Sequence, residues 1–223
     1  WTQTAPVFAN DPVWAKDVAP EFNGHIWAPD ITLYNGTYYL YYSVSAFGKN
    51  TSAIGLVTNT TLNPKNEGYK WVDQGIVIQS VPNRDLWNAI DPNLIFDEEG
   101  TPWLSFGSFW SGLKMVKMNK DLKTLAQPEE WHTIASRERS NNIPDDDAGD
   151  AALEGPFIFK KGDYYYQFES WDFCCRGKES TYKVVMGRSK TVTGPYVDKE
   201  GIELNNGGGS LLIEGNDDWH GIG

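Results

Sequence analysis

A strand–turn–strand pattern that repeats along the chain is the feature that most constrains how this sequence can fold. An apolar run ends in an aromatic residue at Tyr34, Phe96 and Phe159, and these positions lie 62 and 63 residues apart. Each is followed by a polar turn and a second run rich in aromatic residues, which is the pattern of a β-hairpin. Further strand candidates follow each hairpin, so the sequence repeats a unit of four antiparallel strands.

Repeated four-stranded units are typical of a β-propeller, whose blades fan around a channel that the first strand of each blade lines. A β-sandwich is the alternative fold, but it does not explain why the units resemble one another. The units cover approximately residues 26–207, while residues 1–23 are predicted to end an earlier blade and residues 207–223 to open a later one. We therefore predict that residues 1–223 are part of a single all-β propeller domain, and that another segment or chain supplies the rest.

The charge of the chain limits its partners. The formal net charge is −11, from 19 basic and 30 acidic residues, which argues against nucleic acid or an anionic membrane surface. The sequence has no stretch of about 20 apolar residues that would span a bilayer. Its ten Trp, eleven Tyr and ten Phe residues can fill strands in a core or stack on sugar rings. A neutral ligand fits this composition best.

Asparagine and cysteine positions bear on where the protein resides. Acceptor sequences for N-linked glycans begin at Asn35, Asn50 and Asn59, which predicts a secreted glycoprotein. Cys174 and Cys175 are adjacent, so they form neither a disulfide framework nor a four-ligand zinc site. From the sequence they are either free or joined to each other.

Two acidic residues occupy equivalent positions in successive repeats. Counting back five residues from the aromatic of each unit gives Pro29, Asp91 and Glu154. Asp91 and Glu154 are therefore expected at the starts of the inner strands of neighbouring blades, facing the same funnel. Asp30 is one place out of register, and because strand side chains alternate between faces, we expect it to serve structure instead.

A pair of carboxylates at the floor of a pocket suits one kind of chemistry. Each negative charge raises the pKa of the other acid, so one of the two can stay protonated near neutral pH. A protonated acid can donate to a glycosidic oxygen as the bond breaks, which glycoside hydrolysis requires. The alternative is that each acid only accepts backbone hydrogen bonds at the start of a strand. Asp91 precedes Pro92 and Glu154 precedes Gly155-Pro156, so both acids sit where the backbone is stiff.

Six motifs follow one another in order: WAPD, YYSVSAFGKNTSAIGL, NAIDPNL, FGSFWSGL, LEGPF and DFCCRGKESTYKVVMGRS. Together they resemble family 43 glycoside hydrolases, specifically the endo-1,5-α-L-arabinanases, over nearly the whole chain. The resemblance implies a five-bladed propeller, of which this chain would contain the end of blade 1, blades 2–4 and the start of blade 5. It also implies hydrolysis of internal α-1,5-L-arabinofuranosidic linkages of arabinan with inversion of configuration.

The resemblance also implies roles for particular residues. Glu154 matches the general acid, and Asp91 matches the carboxylate that adjusts the pKa of that acid. Trp27 and Phe47 match positions of the sugar platform, although core packing is an alternative for Phe47. Three further residues near the inner strands of the second repeat are candidates for sugar contacts or for a structural role: Asn88, Ser108 and Trp110.

Two functional groups of the family are expected outside this chain. The general base would lie upstream of Trp1, and a histidine that holds a calcium ion near the propeller axis would come just after Gly223. Within the chain we predict no metal site, since the histidines lack ligand spacing and the run from Asp145 to Asp150 lacks the ligand alternation of an EF-hand loop. The chain alone is therefore predicted to be inactive.

Other functions are compatible with the same motifs. An exo-acting α-L-arabinofuranosidase or β-xylosidase of the same family would differ from an endo-arabinanase mainly in loops that block one end of the cleft. A carbohydrate-binding propeller fragment without catalysis is the alternative from a different class. We expect a secreted monomer that acts on arabinan or arabino-oligosaccharides. Apart from the rest of the propeller, we expect it to have no protein partner.

Overall fold

The computed structural model describes residues 5–222, which form three four-stranded antiparallel sheets. We call these sheets blades 2, 3 and 4. Blade 2 contains β1 (Ile26–Tyr34), β2 (Thr37–Val44), β3 (Ser52–Asn59) and β4 (Val72–Ser80). Blade 3 contains β5 (Asn93–Phe96), β6 (Pro102–Phe106), β7 (Leu113–Lys117) and β8 (Trp131–Ala135). Blade 4 contains β9 (Leu153–Lys161), β10 (Tyr164–Trp171), β11 (Lys183–Ser189) and β12 (Ser210–Ile213).

Helices are short in this part of the chain. The α-helix α1 (Ala15–Val18) precedes the blades, and two 3₁₀ helices, Gly177–Glu179 and Leu204–Asn206, lie in connections of blade 4. None of the described helices is long and apolar enough to cross a membrane.

Tight turns close the inner hairpins. Between β1 and β2, Asn35 and Gly36 have φ angles of 47° and 75°, and Tyr34 pairs with Thr37. Two left-handed residues in a two-residue loop match the right-handed twist of the flanking strands, and asparagine tolerates that conformation better than most side chains. The hairpins predicted in all three repeats are present.

Apolar side chains fill the space between neighbouring blades. The cluster between blades 2 and 3 includes Tyr41, Ile54, Leu56, Leu104 and Phe106. The cluster between blades 3 and 4 includes Leu113, Met115, Leu153, Ile158 and Tyr165. Blade 3 therefore contributes apolar side chains to both of its neighbours, which is how propeller blades pack.

Polar side chains also connect the first strands of neighbouring blades. The Asp30 carboxylate accepts a hydrogen bond from the backbone N–H of Leu94 at 2.9 Å, and the side-chain oxygen of Asn93 accepts one from the N–H of Ile158 at 2.9 Å. Asp30 and Asn93 therefore have the same role: each connects the first strand of its blade to the first strand of the next blade. Asp30 lies four residues before Tyr34 and Asn93 lies three residues before Phe96, so the two are offset by one residue in the repeat. The bond from Leu94 agrees with the structural role predicted for Asp30, whereas the expectation that Asp30 faces away from Asp91 and Glu154 is wrong, because all three line one cleft.

One predicted boundary is wrong. Ser210–Ile213, inside the segment 207–223, does not open a further blade but pairs with β11 as the fourth strand of blade 4. The chain leaves the sheet after β11 and returns only after an excursion that pairs at Val197, so this outer strand comes late in the sequence. Residues 5–23 contain α1 and no strand, and residues 1–4 lie outside the described part of the chain, so the end of an earlier blade at 1–23 stays a prediction.

The three predicted glycan acceptors differ in accessibility. Asn35 is exposed at the tip of its hairpin. Asn50 is fully buried, and its amide nitrogen donates hydrogen bonds to the carbonyls of Asp85 at 2.8 Å and Trp87 at 3.3 Å. Asn59 is also buried, with 3% of its surface exposed. Because a glycan attaches at the amide nitrogen, the fold is incompatible with a glycan on Asn50, and glycosylation stays a prediction for Asn35.

Candidate active site

A cleft opens where the first strands of the three blades begin. It has two lobes, of about 620 Å³ and about 380 Å³, that share part of their lining. The first lobe follows the starts of β1, β5 and β9, and the second extends past the loops that follow β2, β6 and β10. Six residues line both lobes: Trp27, Phe47, Ile90, Glu154, Cys174 and Cys175. Glu154 therefore lies at the junction of the two lobes.

Asp91 lies in the first lobe, just before β5. Its φ of 58° is a left-handed conformation that aspartate tolerates better than most residues. The backbone N–H of Asp91 donates to Ser43 Oγ of blade 2 at 3.0 Å. The N–H of Gly155 donates to the Gly107 carbonyl at 3.3 Å and also lies near enough to the Asp91 carboxylate to oppose part of the rise in its pKa. Burial, and then the negative charge of Glu154, raise the pKa of Asp91 to about 8. Asp91 therefore keeps its proton at neutral pH.

Glu154 is held by hydrogen bonds to both of its carboxylate oxygens. Ser108 Oγ donates to Oε2 at 2.7 Å, and the Tyr182 hydroxyl donates to Oε1 at 2.6 Å. Burial, and then the charge of Glu154, raise the pKa of Tyr182 far above its usual value, so this hydroxyl stays a donor. Ser108 comes from blade 3 and Tyr182 lies just before β11 of blade 4, so two blades fix the direction in which Glu154 points.

The structure thus brings together the two acids that the repeat predicts. One of them holds a proton at neutral pH, and the other lies where the lobes meet. The remaining carboxylates of the cleft, among the described residues, are already engaged: Asp30 accepts the Leu94 N–H, and Asp172 pairs with Arg137 and with Lys183 at 2.8 Å each. This cleft can bind a neutral ligand and transfer a proton to it, but the described residues leave no free carboxylate to activate water from the opposite side.

The predicted sugar-binding residues fall into two groups. Trp27 and Phe47 line both lobes, and Phe47 is 80% exposed, which excludes core packing for its ring. Asn88, Ser108 and Trp110 line the second lobe but are almost fully buried. Ser108 contacts Glu154, and the indole nitrogen of Trp110, whose side chain is 1% exposed, donates to the Asp145 carbonyl at 2.9 Å. Direct sugar contacts by these three residues stay a prediction.

Sequence reasoning missed the role of two features of the cleft. Tyr182 contacts Glu154 from 28 residues further along the chain, and no spacing rule connects the two positions. Cys174 and Cys175 form a disulfide with each other and line both lobes. Both features lie within the motif DFCCRGKESTYKVVMGRS. This motif contributed to the family resemblance, but it did not predict these contacts.

Within the described part of the chain, no three His, Cys, Asp or Glu side chains come together in a way that could hold a metal ion. In the acidic run, Asp145, Asp146 and Asp147 are exposed. The calcium ion that the family resemblance implies has its expected histidine beyond Gly223, so it stays a prediction.

Comparison with known proteins assigns the chain to a family. The model of the family "Glycosyl hydrolases family 43" matches residues 1–210. The chain belongs to glycosyl hydrolase family 43. The family fold is a five-bladed β-propeller, and blades 2, 3 and 4 are part of it.

Within family 43, the chain is 60% identical over 223 residues to the extracellular exo-alpha-(1->5)-L-arabinofuranosidase ArbA of Cellvibrio japonicus, and 44% identical over 223 residues to the extracellular endo-alpha-(1->5)-L-arabinanase 1 of Bacillus subtilis. Both alignments include the whole of this chain, which spans 64% of the length of either relative. The structure of Cellvibrio cellulosa alpha-L-arabinanase complexed with arabinohexaose superposes with a TM-score of 0.96 at 61% identity, over 97% of this chain and 69% of that chain.

Proposed function

We propose that the whole protein to which this chain belongs hydrolyses α-1,5-L-arabinofuranosidic linkages in arabinan, with Glu154 as general acid and Asp91 as the residue that controls its protonation. The observation that supports this most directly is the position of Glu154 at the junction of the two lobes, beside protonated Asp91. A polymer that occupied both lobes would place a linkage next to Glu154. Trp27 and Phe47, which line both lobes, would contact the apolar faces of the sugar rings.

The proposed reaction is a single displacement. Glu154 gives its proton to the glycosidic oxygen as the bond to the anomeric carbon breaks, and a water molecule attacks that carbon from the opposite face. The pair of acids carries one proton, because two ionised carboxylates would repel each other. Asp91 holds this proton in the free cleft and passes it to Glu154 for the donation step, which leaves Asp91 ionised. Inversion requires a base roughly 6.5–9.5 Å from the acid, and we propose that a part of the protein outside this chain supplies it. The chain alone is then expected to show no substantial turnover of linear arabinan.

Replacing Glu154 tests the assignment of the acid. Glu154→Gln in the whole protein should lower kcat on linear arabinan by about 10²- to 10⁴-fold, the range for loss of a general acid. Glu99→Gln, at an exposed turn position of blade 3, is the matched control and should leave kcat unchanged. Equal activity of the Glu154→Gln variant and wild type would exclude Glu154 as the acid.

The point of attack along the polymer is a separate question. An endo-acting arabinanase is our first proposal, and the B. subtilis relative has that name. Exo action is the second, because the C. japonicus relative, at 60% identity, is named an exo-acting arabinofuranosidase. Chromatography of early products from linear arabinan separates the two: a ladder of oligosaccharides indicates endo action, and a single short product indicates exo action.

We also propose that the protein acts outside the cell. Both curated relatives described above are named extracellular. The Cys174–Cys175 disulfide agrees with this location, because disulfides persist in oxidising compartments and are rare in the cytosol. Fractionation of the native host, with the protein found in the medium, is the corresponding measurement.

A further inference from the structure

The Cys174–Cys175 disulfide is not explained by the stability of the fold. A disulfide stabilises mainly by closing a loop in the unfolded chain, and its contribution grows with the length of that loop. Cys174 and Cys175 are neighbours in sequence, so their disulfide closes no loop of other residues. A different role is therefore needed for it.

The loop that contains the disulfide is fixed by other contacts. The N–H of Thr181 donates to the Phe173 carbonyl at 3.0 Å, which closes the loop at its base. The carboxylate of Asp172 pairs with Arg137 and with Lys183 at 2.8 Å each. These bonds hold the loop without any contribution from the two sulfur atoms, so reduction of the disulfide need not release it.

The disulfide lies on the wall of the cleft. It lines both lobes, as do Glu154 and Phe47. Phe47 belongs to the loop after β2 in blade 2, whereas the disulfide follows β10 in blade 4, so the cleft has an apolar group from the blade on either side of blade 3. Beside the disulfide in the second lobe, the Phe173 ring contacts Phe109, at 6.1 Å between ring centroids, and the Arg176 guanidinium, at 4.0 Å from the centroid.

The chemistry of the group suits an apolar sugar face. Divalent sulfur is soft and polarisable and bonds only weakly to hydrogen-bond donors, so it packs favourably against C–H groups. We propose that the Cys174–Cys175 disulfide is a substrate-binding group that forms an apolar wall for a sugar ring next to Glu154, and that its reduction weakens the binding of substrate. This inference rests on the proposed hydrolysis of arabinan, whose linkages Glu154 would cleave.

Reduction has a defined stoichiometry. A dithiol such as dithiothreitol is oxidised to its cyclic disulfide, the bond between the two cysteine sulfurs breaks, and each sulfur gains one hydrogen. The product is a pair of separate thiols, each with a weakly polar S–H and free to rotate. The single rigid surface that faced the cleft is then lost.

The test compares the whole protein before and after reduction, with arabinohexaose as substrate. The redox state of the pair is read by mass spectrometry of the alkylated Cys174–Cys175 peptide. Reduction should raise KM about twofold to tenfold, the effect of losing one sulfur packing contact, with kcat changed less than about twofold. The variant C174S/C175S should show the raised KM already and should not respond to dithiothreitol.

Lys178→Ala is the matched control, because Lys178 is exposed in the same loop and does not line either lobe. It should keep the KM of wild type and its response to the reductant. An unchanged KM after verified reduction would overturn the proposal, and so would a fall in kcat and in the melting temperature with KM unchanged, which would indicate a purely structural role. Hydrolysis by the oxidised wild type is read in the same assay, so failure of the proposed function is distinguished from failure of this inference.

Discussion

Replacing Asp91 by Asn should make the protein more stable at neutral pH, although Asp91 is proposed to serve catalysis. The pKa of Asp91 rises from 3.8 to about 8 in the folded state, chiefly through burial and then through the charge of Glu154. Asparagine resembles the protonated acid: its side-chain oxygen can lie near the Gly155 N–H, and its amide can donate as the carboxyl O–H would. The substitution therefore removes the ionisation and keeps the shape.

The sign of the effect follows from the two pKa values. Below about pH 4, folded and unfolded chains both hold the proton, and Asp91 contributes no difference in the free energy of unfolding. Between about pH 4 and pH 8 only the unfolded chain releases the proton, so the folded state loses about 1.4 kcal/mol per pH unit. At pH 7 the raised pKa of Asp91 lowers the free energy of unfolding by at most about 4 kcal/mol. This is an upper bound because the acid faces a cleft that admits water. Above about pH 8 the cost becomes constant.

Urea unfolding of wild type and Asp91→Asn between pH 4 and pH 9 measures this difference. The two proteins should have the same stability near pH 4, and the variant should gain progressively as the pH rises to about 8. Parallel stability curves over that range would refute the reasoning, because they would show that Asp91 ionises in the folded protein as it does in the unfolded chain.

A carboxylate whose pKa is lowered on folding provides the control. Burial is the largest single influence on Asp121 and opposes its ionisation, but hydrogen bonds from the N–H groups of Lys123 and Thr124 and from the Thr124 hydroxyl together outweigh it and lower the pKa. Its ionised form therefore stabilises the fold above the unfolded pKa, and that stability is lost as the pH falls through the lower folded value. Asp121→Asn should accordingly be less stable than wild type at neutral pH, with the difference shrinking in acid.

Three further substitutions test other contacts. Tyr182→Phe removes the hydrogen bond to Glu154 Oε1 and should lower kcat on arabinan about tenfold or more, with KM little changed in steady-state assays, since a bond to a charged group contributes about 1.5–3 kcal/mol. Asn93→Ala leaves the buried Ile158 N–H without its acceptor and should reduce the free energy of unfolding by about 1–3 kcal/mol in urea titrations. Trp27→Ala should raise KM markedly, and an unchanged KM would remove Trp27 from the sugar platform.

The propeller and the pair of acids could be predicted because both follow from the repeat. A period near 62 residues sets one blade after another, so Asp91 and Glu154, at equal distances before Phe96 and Phe159, occupy equivalent places in neighbouring blades. The structure places both in one lobe of the cleft. The acceptor sequences at Asn50 and Asn59, in contrast, give no indication of burial, because a sequence of three residues does not report how a strand packs.

Other features depend on where the chain departs from its repeat. Asp30 lies four residues before Tyr34 but Asn93 only three before Phe96, so their equivalence becomes visible only through the hydrogen bonds that both accept. The outer strand Ser210–Ile213 follows a long excursion, and its position in the sequence suggests a new unit. Tyr182 meets Glu154 only through the pairing of strands in blade 4.

The hydrogen bond from Ile158 to Asn93 has a consequence for how the site responds to disturbance. Asp91 precedes blade 3 and Glu154 belongs to blade 4, so their separation depends on the angle between two blades and not on the shape of either one. A rotation of blade 4 about the propeller axis would part the acids while each sheet stayed intact. When a single blade is exchanged between relatives, the site should therefore keep its geometry only if the hydrogen bond between blades 3 and 4 is preserved. This holds even when every blade folds correctly.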